Sequence, residues 1–187
     1  MSTSHLNIAK YALLLCVFAS ASFACSAKTN LARVTAPQRS SASAFELLQE
    51  GSAYYIRHDF ERAIPPYQMA VDLEKQHPSL DKTFWRVLVD NLAIAYGVTG
   101  ELEKSRETLV YGIEKDPKYP MFYYNMACYY GEKKNQDKTI EYLRLAFDRR
   151  ENMIEGEEMP NPATDSSFKS FMKNEKFKAA LKGLKQK

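Results

Sequence analysis

The chain has 187 residues, with 26 Lys or Arg against 23 Asp or Glu and a formal net charge of +3. So even a balance argues against a polycation that holds nucleic acid through phosphate contacts. Seven glycines leave little for a backbone-built anion cradle, and neither a Gly-rich phosphate loop nor a nucleophile elbow is present.

Taken in chain order, residues 1–24 read as a signal peptide. They carry His5 and Lys10, an apolar run from Tyr11 to Ala21, and the small-residue exit Ser22-Phe23-Ala24. The run falls short of the roughly 20 residues that span a bilayer. Ser22-Phe23-Ala24-Cys25 resembles a bacterial lipobox, which would make Cys25 a candidate for lipidation and the mature N-terminus. Ser22 departs from the usual Leu, and Phe23 is bulkier than the usual Ala or Ser. Ordinary cleavage after Ala24 or Ala27 is the other reading, and it gives a soluble exported protein. Residues 25–43 are rich in Ser, Thr and Ala, with Lys28, Arg33 and Arg39 and no acid, as expected of a flexible tether with a reach of roughly 25 Å. About 160 residues remain after the leader, enough for one domain.

From Ala44 onward the chain shows a helical-hairpin signature three times. Its members are Gly51, Tyr54, Ala63, Tyr67 and Ala70, then Ala93, Tyr96, Leu109, Gly112 and Pro117, then Ala127, Tyr130, Leu143 and Ala146. Gly51 and Ala93 are 42 residues apart, and Ala93 and Ala127 are 34 apart. Small residues are needed where two antiparallel helices cross closely, because an interior at crystal-like density has no room for added methylenes. Polar turns separate the helices of each pair at His58-Asp59, Thr99-Gly100 and Asn135-Gln136-Asp137. Gly100 suits a positive φ at a helix end, and Asp59 and Asp137 are N-cap candidates. Pro65-Pro66 falls inside the second helix and predicts a kink or a late start.

On these residues the stretch from about Ala44 to Asn152 resembles the tetratricopeptide-repeat (TPR) superfamily. The middle part, through Asn91-Leu92-Ala93-Ile94-Ala95-Tyr96, is similar to the longer kinesin-light-chain type of repeat. Tyr124 to Tyr130 looks like the closing unit of bacterial TPR arrays. Ser105 and Thr139 stand where Ala is usual, and Glu50 where Leu is usual. The resemblance implies an all-α, right-handed solenoid of three units, at about 44–77, 79–117 and 119–152. An acidic, proline-bearing loop over 154–164 and a pair of capping helices over 165–187 follow it.

The resemblance also implies a concave groove lined by the first helix of each unit. Counting from the small-residue landmarks, the lining is Phe45, Leu48, Ser52, Tyr55 and Ile56, then Val87, Asp90, Ile94 and Val98, then Met121, Tyr124, Cys128 and Glu132. Asn91 and Asn125 hold the polar position that many TPRs use to bond a ligand backbone; bonding within the scaffold is the alternative. Chaperone-binding TPRs grip a C-terminal carboxylate with cations, but the matching positions here are Leu48, Ser52, Met121 and Asn125. An apolar groove with Asp90 and Glu132 suits an amphipathic segment that carries a basic residue. The competing expectation is that the chain's own C-terminal segment fills the groove and partners meet the convex face or the basic cap.

In that segment Asp165 or Ser166 caps a first helix showing Phe168, Phe171 and Met172. Phe177, Ala180, Leu181 and Leu184 repeat at helical spacing on a second. From Asp165 to Lys187 there are seven Lys against two acids, the pattern of a capping helix with a solvated lysine face. His58 and His77 lack partners at metal-ligand spacing, Cys128 reads as a buried inert thiol, and Glu155, Glu157 and Glu158 form a loop cluster rather than an acid and base pair. The sequence therefore predicts a non-enzymatic protein-binding adaptor of the bacterial cell envelope, exported and membrane-anchored through Cys25 or else soluble. No cofactor, metal, nucleic acid or small-molecule substrate is expected.

Overall fold

The computed structural model describes residues 42–184. The expected leader, Cys25 and most of the expected tether lie outside the described residues, as do residues 185–187. Three antiparallel helix pairs stack in sequence. They are α1 (Ala44–Tyr55) with α2 (Phe60–Gln76), α3 (Lys82–Val98) with α4 (Leu102–Lys115), and α5 (Pro120–Glu132) with α6 (Gln136–Phe147). A 3-10 turn at Arg150–Asn152, a second 3-10 segment at Ser166–Phe171 and α7 (Glu175–Leu184) complete the chain. The fold is all-α among the described residues.

Local chemistry starts and stops these helices. A capping box opens α1: the Glu46 amide donates to Ser43 Oγ at 3.2 Å, and the Ser43 amide donates to Glu46 Oε2 at 2.8 Å. Asp59 caps α2 and Asp81 caps α3. Asn135 caps α6 through the Lys138 amide, two residues ahead of the expected Asp137, which instead lies in the first turn. In the three turns that join the helices of each pair, His58, Gly100 and Lys134 all take left-handed φ values of 60°, 86° and 56°. These positions are spaced like the repeat itself. One backbone turn is thus used three times, with its natural glycine present only in the middle unit.

Contrary to the expected late start, α2 is continuous through Pro65 and Pro66. Pro66 is buried while Pro65 faces solvent, so water can bond a carbonyl that the missing donors leave free on the outer side. The longer step of the first unit is absorbed by a longer α2, by one more residue in the turn to α3 and by an added turn at the start of α3. That added turn and the residue after it carry contacts both within the second unit and to the third. Trp85 meets the Phe122 and Tyr111 rings edge-on at 5.8 Å. Arg86 Nε bonds Asp116 Oδ2 at 2.7 Å, with Lys82 at 3.4 Å, and its guanidinium lies over Tyr119.

The repeat signature forms the core. Ala63, Ala70, Ala93, Ala127 and Ala146 are fully enclosed. A Cβ on Gly51 would stand 2.8 Å from Tyr67 Cγ and closer still to two other ring carbons, and one on Gly112 would stand 2.9 Å from Phe122 Cε2. Tyr96 is buried, its hydroxyl donating to Gln68 at 2.9 Å, while Tyr54 and Tyr130 are half-buried, the latter stacked on Tyr142. Thr139 is buried without penalty because its hydroxyl donates to the Asn135 carbonyl at 2.8 Å. Tyr67 ties two units together: its hydroxyl donates to Ser52 Oγ at 3.1 Å and accepts from Asn91 Nδ2 at 3.2 Å. Burial pushes that phenol up to about 12.

The first of the two expected cap helices is a 3-10 segment, begun by Asp165, whose carboxylate accepts the Ser167 amide. It packs against α5 rather than on the end of the stack, while α7 packs against α6. Phe168 and Phe177 are fully buried at this junction, 6.0 Å apart between ring centroids.

Candidate functional site

The first helices α1, α3 and α5 lie side by side, and each presents a stripe of residues away from its second helix. On α3 the stripe is Phe84, Val87, Asn91, Ile94 and Val98, at spacings of three and four; the first four are half-buried and Val98 is 44% exposed. On α1 it is Phe45, Gln49, Ala53 and Ile56, all exposed. Phe45 and Phe84 join the two stripes through an edge-on ring contact at 5.0 Å. Phe45, Ile56 and Val98 are the large hydrophobics that stand exposed among the described residues.

The third stripe is covered by the chain itself. Tyr124 Oη donates to Asp165 Oδ2 at 2.9 Å, and its ring meets Phe168 edge-on. Cys128 Sγ sits 3.9 Å from the same carboxylate. At Gly131 a Cβ would fall 3.2 Å from the Ser167 carbonyl carbon, so the small residue lets the returning backbone touch α5. Nearer α3, Tyr119 Oη donates to Glu157 Oε1 at 2.8 Å, and Glu157 Oε2 accepts the Ile154 amide at 3.0 Å.

Between the open and covered parts lies a buried polar pair, in which Asn125 Nδ2 donates to Asp90 Oδ1 at 2.7 Å. Burial and then the nearby Glu157 carboxylate push Asp90 up to about 8, against the lowering by Asn125. Glu157 is raised as well, chiefly by burial. The Cys128 thiol is pushed well above its ordinary value by burial and by Asp165, which leaves it a poor nucleophile. Both asparagines of the expected ligand-bonding position bond within the scaffold, Asn91 to Tyr67 and Asn125 to Asp90.

The groove residues read from the sequence therefore divide into three groups and a single outlier, Glu132. Phe45, Ile56, Val87, Asn91, Ile94 and Val98 share the open face. Leu48, Ser52, Tyr55, Asp90, Met121 and Asn125 are buried, at 8% exposure or less, and present no open surface. Leu48, Ser52 and Tyr55 fall inward because α1 turns positions 49 and 53 outward in line with Phe45 and Ile56. Tyr124 and Cys128 lie beneath the chain's own segment, and Glu132 is exposed at the end of α5. Gln49, Ala53 and Phe84 join the open face; the outward spacing of Phe84 from Val87 and Asn91 was the available signal. Among the described residues no cluster of His, Cys, Asp and Glu could hold a metal ion, and no helix is long and apolar enough to cross a membrane.

No protein-family model matches the chain. Over 103 residues it is 29% identical to the heat-shock protein cognate (HSC) co-chaperone sgt12 of Aspergillus fumigatus, an alignment covering 51% of this chain and 28% of that protein. The chain thus spans little more than a quarter of that relative's length. The crystal structure of the Sgt2 TPR domain from Aspergillus fumigatus superposes with a TM-score of 0.52 and 18% identity, covering 83% of this chain and 88% of that one. The chain therefore has the fold of a tetratricopeptide-repeat domain, three stacked helix pairs, with its C-terminal segment folded back onto the third.

Proposed function

We propose that the protein is a non-catalytic adaptor that docks an amphipathic segment of a partner protein on the joined α1 and α3 stripes. The supporting observation is that Phe45, Ile56 and Val98, the exposed large hydrophobics among the described residues, lie on the outward stripes of α1 and α3, which the Phe45 and Phe84 rings join. Apolar residues grouped in this way on a folded surface mark contact sites, and their spacing suits anchors at helical intervals. A partner of this kind docks on side-chain surface rather than on a backbone-bonding ladder, since Asn91 and Asn125 are engaged within the scaffold. Leu48, Ser52, Met121 and Asn125 supply no cation, so a chaperone-type C-terminal carboxylate is not the ligand, although the related fungal protein is called a co-chaperone. In our reading residues 1–24 are a leader that exports this adaptor to the cell envelope, where a lipid on Cys25 anchors it or cleavage releases it as a soluble protein.

The test is photocrosslinking in the native cell with a benzophenone residue at Ile56 or Val98, compared with one at Lys182. Partner adducts at the first two positions that vanish with Val98→Asp, at an unchanged melting temperature, are the expected result. Adducts at Lys182 alone would transfer the contact to the basic C-terminal region.

A further inference from the structure

The last hairpin and the C-terminal helix leave a second apolar feature, remote from the α1 and α3 face. Between the end of α6, the Met159–Ala163 loop and α7 lies a cleft of about 500 Å3, inside the roughly 300–1,000 Å3 range of small-molecule sites. Phe147, Met159, Pro162, Met172, Leu181 and Leu184 form its walls. Among the described residues its charged lining is Lys178 and Lys182, with no carboxylate. The two lysines are four residues apart on α7, so their ammonium groups occupy the same rim. Lys178 pairs with the exposed Glu175 at 2.8 Å, a contact that water screens and an entering anion can replace. By contrast, the groove running along α6 and α7 is lined by Asp137 and Glu141 as well as Arg144 and Lys176. The single sign of charge distinguishes this cleft from that groove.

We propose that the cleft binds a single-chain anionic amphiphile of the fatty-carboxylate class, its acyl chain along the apolar walls and its head group at Lys182 and Lys178. The occupant follows from the combination of walls and rim: a volume in the small-molecule range, apolar walls for a chain and two lysines for one anionic head group. Met159 and Met172 suit it because an unbranched, polarizable thioether adapts to chains of different length and bend. The lysine stems extend the apolar wall while their heads stay in water, where a carboxylate would lie.

The experiment is displacement of a fluorescent fatty acid, cis-parinaric acid, from the full-length chain. Hexadecanoate and hexadecylammonium serve as competitors of equal length and opposite charge. The expected result is saturable one-to-one binding, with hexadecanoate at least about tenfold the better competitor, as one charge-assisted contact provides. Lys182→Glu should weaken the probe about tenfold, and Met159→Trp should remove its binding by filling the cleft, both at unchanged circular-dichroism melts. Equal competition by the ammonium compound, or wild-type affinity in both variants, would overturn the proposal. A benzophenone at Ala163 that crosslinks to residues 1–41 or to a second copy of the chain would overturn it too, by revealing a protein occupant.

Discussion

At Gly51 one hydrogen atom separates the α1 backbone from the face of the Tyr67 ring, which cannot yield because its hydroxyl is held by Ser52 and Asn91. Gly51→Ala should therefore cost about 1–3 kcal/mol, the usual penalty of overpacking, although alanine is the better helix former. Urea unfolding of the two proteins measures it. Asp90 provides a second test at this scale. Its unfolded carboxyl ionises near 3.8, but the folded one holds its proton to about 8, so between those values the native state binds more protons and stability falls as pH rises. The groups facing it are Asn125 and Glu157, and Glu157 in turn faces Tyr119 and feels Arg86. Asp90→Asn keeps an acceptor for Asn125 and removes the ionisation. The variant should match the wild type near pH 3 and exceed it by more than about 1 kcal/mol at pH 9, since a tenfold change in proton affinity is worth about 1.4 kcal/mol. Urea midpoints across that range supply the comparison.

Among the elements, α2 runs against its own composition. It is a 17-residue helix with two interior prolines, and each proline removes a donor and crowds the preceding turn. The helix persists because Ala63, Tyr67, Ala70 and Val71 are buried on one side, and burial of that stripe outweighs a local penalty of about 3 kcal/mol per proline. Since Pro65 is exposed and packs nothing that alanine would lose, Pro65→Ala should stabilise the protein by about 1–3 kcal/mol. A thermal melt that falls instead would mean the ring supports an inter-helix contact. Propensity was readable from the chain at this position, but its defeat was not, because the winning contribution comes from helices α1 and α3 packed against the other side.

For the molecule as a whole, the folding-back of residues 154–171 decides which surface remains open. Phe168 is the pivot: fully buried, it meets Tyr124 on α5 and Phe177 on α7. Phe168→Ala should cost about 3–5 kcal/mol, as deletion of a buried aromatic does. It should also raise amide hydrogen exchange in Pro120–Glu132 more than in Ala44–Tyr55. Uniform exchange across all three pairs would mean the segment is no separate layer. Its docking leaves the α1 and α3 stripes as the open face.

The 34- and 42-residue steps, the small residues at the crossings and the polar turns sufficed to establish three stacked helix pairs, since each is a local demand of helix geometry that any one unit must satisfy by itself. Asp59 as a cap and Gly100 as a left-handed turn were legible for the same reason. The sequence could not say that Asp165 and Phe168 would lie on Tyr124, some forty residues earlier, or that Asn125 would bond Asp90 across two units. Such contacts depend on the path of a loop whose residues favour no single conformation, and only the packed helices select one. Which stripe stays exposed, which carboxylate loses its water, and where α7 leaves a cleft are consequences of that selection, made by the assembled core.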